Sequence, residues 1–166
     1  MNPQRLRSGI AHTLAVIVCA VTLGCRDSSA PSGPTATDPT PDEQILLALD
    51  GYDPMYQVDE DGRVTRLRLV WKHVPGPVLA EVGNLTELRA LDLAHSTVTD
   101  EGLAQLKDLQ KLRSIGLSGT RITDQGLVHL EKLRSLQWVW LSKLTVTEAG
   151  VERLKDARPD MNVYLQ

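Results

Sequence analysis

One spacing governs this sequence: apolar residues return every 24 positions from Val64 to the C-terminus. Val64, Leu88, Leu112 and Leu136 form one column. Leu67, Leu91, Ile115, Val139 and Val163 form the next, and Leu69, Leu93, Leu117, Leu141 and Leu165 a third. Val74, Val98, Ile122 and Val146 follow, then Leu79, Leu103, Leu127 and Val151, then Val82, Leu106, Leu130 and Leu154. Six columns that survive three or four equal shifts require a chain that coils once per repeat and stacks like residues on like. A single coil cannot bury its own apolar side, so stability comes from neighbours.

The spacing inside a coil assigns its parts. Leu91 and Leu93 are separated by one residue, so they share one face of a strand while Ala90, Asp92 and Ala94 share the other. Thr99-Asp100 and Thr123-Asp124 then precede Glu101-Gly102-Leu103 and Gln125-Gly126-Leu127. Thr and Asp are good helix N-caps, and an acid suits the positive end of the helix dipole. Thr147-Glu148-Ala149-Gly150 is a weaker copy. Leu103, Leu106 and Leu109 recur at helical spacing and are expected to face inward.

The copies TVTDEGLAQL at 97–106 and RITDQGLVHL at 121–130 resemble bacterial extracytoplasmic leucine-rich repeats of the VTDxGL type. The resemblance covers residues 64–166. It implies an α/β solenoid of about four coils plus a final strand, with parallel strands on a concave face and short helices on the convex one. In the first coil Val74-Pro75-Gly76-Pro77 lacks the Thr-Asp pair, so its convex segment is expected to be extended. Residues 42–63 are expected to cap the first coil with a helix (Asp42 to Asp50) and a hairpin through Asp59-Glu60-Asp61-Gly62. The last strand, Asn162 to Leu165, is expected to present an edge that could accept a partner strand or a second copy, and an edge blocked by the C-terminal residue and its charge is the other reading.

The N-terminus has a different character. Arg5 and Arg7 precede a mostly apolar run from Ile10 to Leu23, too short for the ~20 residues a membrane-spanning helix needs. Residues 1–24 therefore read as a signal peptide. The run ends Val21-Thr22-Leu23-Gly24-Cys25, which resembles a bacterial lipobox. The resemblance implies cleavage before Cys25 and lipidation of its thiol, although Thr22 stands where that family usually has Leu. An ordinary secretory signal with a Cys near its cleavage site is the other reading. Residues 25–41 then form the lipidated Cys and a tether, with Arg26 to Pro41 rich in Pro, Ser and Thr and too apolar-poor to fold. The expected location is the cell envelope, anchored to a membrane. Arg26 in place of Asp favours the outer membrane under the best-known sorting rule for such lipoproteins.

The outward strand positions stack into rows. One row is Arg66, Ala90, Ser114, Trp138 and Asn162, and the next is Arg68, Asp92, Gly116, Trp140 and Tyr164. Trp138, Trp140 and Tyr164 are expected to cluster beside the hollow left by Ser114 and Gly116. Exposed aromatics beside a hollow are typical binding hot spots. Shielding of the last coil is the competing role. Arg66 and Arg68 at the other end suit a carboxylate or phosphate, and a solvated surface ion pair with the nearby Asp92 is the competing reading.

Charge and motifs narrow the function. Net charge is −3, and Arg5 and Arg7 are the only charges before Cys25. Taking those two from 18 basic residues leaves 16 against 21 acidic ones, which argues against a nucleic-acid partner. His73, His95 and His129 show no metal-site spacing. Asp59 and Asp61 suggest a calcium loop, but Arg68 falls where its closing carboxylate belongs. No nucleophile or phosphate-loop motif is found. The sequence therefore predicts a non-catalytic module without cofactor. Its expected ligand is a protein or peptide, with a cell-wall or surface polysaccharide as the alternative.

Overall fold

A computed structural model describes residues 39–142 and 145–165. The signal peptide, Cys25 and nearly all of the tether lie outside these residues, as does Gln166. One six-stranded sheet runs in chain order from β1 to β6. Its strands are β1 (Met55–Val58), β2 (Val64–Arg68), β3 (Ala90–Asp92), β4 (Ser114–Gly116), β5 (Trp138–Leu141) and β6 (Asn162–Leu165). Strands β2 to β6 pair in parallel, and β1 joins β2 antiparallel. The 24-residue register holds throughout, for Arg66 pairs with Ala90, Ala90 with Ser114, Ser114 with Trp138, and Trp138 with Asn162.

The capping helix α1 (Pro41–Ala48) precedes the sheet, and helices α2 (Gly76–Gly83), α3 (Asp100–Ala104), α4 (Asp124–Glu131) and α5 (Glu148–Ala157) follow strands β2 to β5 in turn. The core lies between the two layers. Leu67, Leu91, Ile115 and Val139 stack under the sheet, while Leu79, Leu103, Leu127 and Val151 meet them from the helices, all buried. Full burial of such a side chain contributes ~1.5–3 kcal/mol. No described helix is long and apolar enough to cross a membrane.

The first coil departs from expectation. Its convex segment is the helix α2, not an extended stretch. Pro75 sits extended as N-cap and Pro77 lies in the first turn, where the missing N–H would have had no helical partner anyway. Helix α1 begins one residue earlier than expected, for the same reason. Thr40 and Glu43 close a capping box, with Glu43 accepting from the Thr40 N–H at 2.8 Å. Asp42 accepts from the Val64 N–H at 2.7 Å and so ties α1 to the first coil. In the hairpin, Asp59 accepts from the Arg63 and Asp61 N–H groups. The Arg63 N–H is the largest of several contacts that hold the Asp59 carboxyl below its ordinary value.

The Thr-Asp pairs also work differently from a simple helix start. Thr99 makes no side-chain cap bond. Instead Asp100 reaches across to the next coil, accepting from the Thr123 N–H at 2.8 Å and its hydroxyl at 2.6 Å. Asp124 does the same to Thr147, at 2.8 and 2.6 Å. The Thr147 hydroxyl, then its N–H, lead the contacts that lower the Asp124 carboxyl's pKa. Glycine makes the room: a Cβ on Gly126 would lie 2.2 Å from Asp100 Oδ1, and one on Gly150 would lie 2.2 Å from Asp124 Oδ1. The Thr, Asp and Gly of the motif are thus one lock shared between adjacent coils.

Candidate functional site

A hollow of about 540 Å³ lies on the open face of the sheet. Ala90, Ser114 and Gly116 form a floor of small side chains. Gly116 leaves room there, because a Cβ would sit 2.7 Å from Asp92 Oδ1 on the neighbouring strand and the carboxylate would have to shift. Asp92 in turn accepts from the Ala94 N–H at 3.1 Å and pairs with Arg68 Nε at 3.2 Å. Arg66 stands beside this pair, exposed, and its guanidinium has no hydrogen-bond or ion-pair partner among the described residues. One end of the hollow therefore carries an Arg–Asp pair and one uncompensated guanidinium.

Trp140 closes the opposite end. Its ring stacks on Tyr164 of the last strand, with centroids 5.7 Å apart and planes inclined by 16°. The expected three-ring cluster around the hollow is therefore corrected in part. Trp140 walls the hollow, while Tyr164 and Asn162 lie beyond that ring, and Trp138 does not line it either. Trp138 and Tyr164 remain exposed, and Asn162 donates its side-chain amide to the Gln137 carbonyl at 3.3 Å. The hollow extends instead toward the N-terminal end, where Met55, Tyr56 and Gln57 of β1 form its other wall. Thus Arg66, Arg68, Asp92, Ser114 and Trp140 share one cavity, and Trp138, Asn162 and Tyr164 do not.

The rim holds a feature that the apolar columns do not report. Trp71, His95 and Gly119 recur at 24-residue spacing, each just past a strand and each with positive φ, at 60°, 56° and 70°. A left-handed backbone costs a non-glycine residue ~1–2 kcal/mol. The rings overlap like shingles. Trp71 stacks on His95 at 3.9 Å with planes 8° apart. His95 lies over Gly119, where a Cβ would meet its Nδ1 at 2.4 Å. His95 lines the hollow, so this stacked pair borders it. His73 turns elsewhere, its Nδ1 3.0 Å from the Thr97 hydroxyl. Among the described residues, no group of three or more His, Cys, Asp or Glu side chains is placed to hold a metal ion.

A family model described as a Leucine Rich repeat matches residues 84–106, which begin just after α2 and take in β3 and the whole of α3. The fold is a leucine-rich-repeat solenoid. Among solved structures, the chain is similar to the crystal structure of PEPR1-AtPEP1, at 13% identity and a TM-score of 0.44. That alignment covers 75% of this chain and 24% of the other, so the solenoid spans about a quarter of that protein's length. Comparison with curated proteins finds no match.

Proposed function

We propose that this solenoid is a non-catalytic binding module that takes a protein or peptide segment across its concave face, held at the cell envelope by a lipid on Cys25. The observation that carries the binding reading is the hollow itself. It joins a small-residue floor, an uncompensated Arg66 and an aromatic wall at Trp140 in one cavity of about 540 Å³. Ligand sites are concave and largely apolar, with a few placed polar groups that fix orientation. The envelope anchor rests on the basic, apolar and Cys-terminated leader of residues 1–25 and on the Pro/Ser/Thr tether, whose 16 residues reach about 50 Å at ~3.1 Å each when extended.

A surface polysaccharide is the second reading, favoured by the exposed Tyr164 ring beside the polar Asn162. One experiment separates the two. The full chain bearing Cys25→Ser is used to capture material from solubilised envelope, beside the same chain with Arg66→Ala and Trp140→Ala. A protein retained by the first and lost by the second supports the peptide reading. A glycan retained by both, and released by Tyr164→Ala, favours the alternative. Capture of nothing by either refutes the binding reading. The anchor has its own test: metabolic labelling with an alkyne fatty acid should mark the wild-type chain and not Cys25→Ser. An unlabelled wild type removes the lipid anchor.

A further inference from the structure

We infer that the hollow selects an extended peptide by two features at fixed separation, one acidic side chain at Arg66 and one large apolar or aromatic side chain at Trp140. The inference rests on the binding role proposed above and specifies the ligand of that same site.

The acidic half follows from charge accounting. Two guanidinium groups and one carboxylate meet at the β2–β3 end, and Arg68 is engaged by Asp92 at 3.2 Å. Asp92 is also held by the Ala94 N–H, and Gly116 leaves the space in which its carboxylate lies. The pair is therefore built into the floor. The Arg66 side chain remains exposed, and its guanidinium has no partner among the described residues. One positive charge is left over, so the end matches one anionic group. A guanidinium forks onto a carboxylate through two parallel hydrogen bonds, which fixes the orientation of the acid as well as its position.

The apolar half follows from the opposite wall. Trp140 is supported from behind by Tyr164, so its indole does not depend on a ligand for its position. A ring already held in place loses little side-chain freedom on binding, which makes it an efficient anchor.

The separation comes from the register. Arg66 is on β2 and Trp140 on β5, three strand steps apart, and the two lie in adjacent outward rows. Three steps of ~4.8 Å and an offset of two residues, ~6.8 Å, put the positions ~16 Å apart. An extended chain advances ~3.3–3.4 Å per residue, so the two ligand side chains stand about four or five positions apart. Between them, the shallow floor of Ala90, Ser114 and Gly116 leaves room for a peptide backbone crossing the strands.

The test is selection from a phage-displayed library of random dodecapeptides on the immobilised full chain with Cys25→Ser, run beside the same chain carrying Arg66→Gln or Trp140→Ala. The expected result on the parent is enrichment of Asp or Glu four or five positions from an aromatic or large aliphatic residue. Arg66→Gln should abolish the acidic preference and keep the apolar one, and Trp140→Ala should do the reverse. The best peptide, fluorescein-labelled, should bind at least tenfold more weakly when its acid is changed to the amide or when two residues are removed between the features. Enriched peptides that bind equally well at any spacing, or without an acid, overturn the inference and leave the site a peptide binder. Absence of any enrichment overturns both this inference and the peptide reading beneath it.

Discussion

Gly150→Ala ought to stabilise by helix propensity, since alanine in a helix is ~0.5–1 kcal/mol better than glycine. The coil-to-coil lock predicts otherwise. The added Cβ would stand 2.2 Å from Asp124 Oδ1 and 2.4 Å from Asp124 Cγ. The carboxylate must then leave, giving up the Thr147 N–H and hydroxyl. Hydrogen bonds to a charged group are worth ~1.5–3 kcal/mol each, and the partly exposed site calls for the lower end, ~3 kcal/mol for both. Subtracting the helix gain leaves a net loss of ~2 kcal/mol for Gly150→Ala. Asp124→Ala alone should cost ~3 kcal/mol. The double variant has no carboxylate to displace, so it should cost only ~2 kcal/mol where additivity demands ~5. Urea unfolding followed by far-ultraviolet circular dichroism measures all four corners of this cycle. Coupling below ~0.5 kcal/mol, the range seen for independent sites, would refute the lock.

Three further outcomes follow from the same structure. Gly76 occupies the position of Asp100 and Asp124 one coil earlier, with open space around its Cβ, so Gly76→Asp should supply Thr99 with the missing acceptor and raise stability by ~1 kcal/mol in the same urea assay. Asp124 titrates below its ordinary value of 3.8, so its contribution is complete above that value and is lost as pH falls through the lower folded value. The urea midpoint of Asp124→Asn should therefore fall less steeply on acidification than that of the parent. Arg158 donates to the Leu133 and Leu136 carbonyls at 2.9 Å and to the Arg134 carbonyl at 3.0 Å. Lysine has no fork to span them, so Arg158→Lys should lower thermal stability by ~2 kcal/mol despite keeping the charge, read as a lower midpoint in a melting curve.

The solenoid was legible because its signal is repeated. Leu67, Leu91, Ile115, Val139 and Val163 announce their stacking by spacing alone, and the outward rows follow from strand alternation. Single events were harder to read. The prolines around Gly76 look like breakers until their place in the first turn of α2 is known. Asp100 looks like a local cap, although a Thr stands 23 residues ahead of it and 23 ahead of Asp124, a regularity the sequence does hold. The left-handed backbone of Trp71 and His95 leaves no mark in composition, since neither residue type favours it as glycine does. The N-terminal wall of the hollow was missed because β1 lies outside the repeat and reaches the site only by pairing with β2.

The lock also has a direction. Each acid serves the coil after it, from Asp100 to Thr123 and from Asp124 to Thr147. A coil so arranged is an interchangeable cassette, accepting a contact from behind and offering an identical one ahead. Duplicating residues 100–123 in frame would insert a coil without leaving an unmatched joint on either side. Such an event would move Arg66 and Trp140 apart by one strand spacing, ~4.8 Å, while leaving both ends of the hollow intact. The span of the concave face is then adjustable by gene duplication in discrete steps, with no need to redesign either end of the hollow.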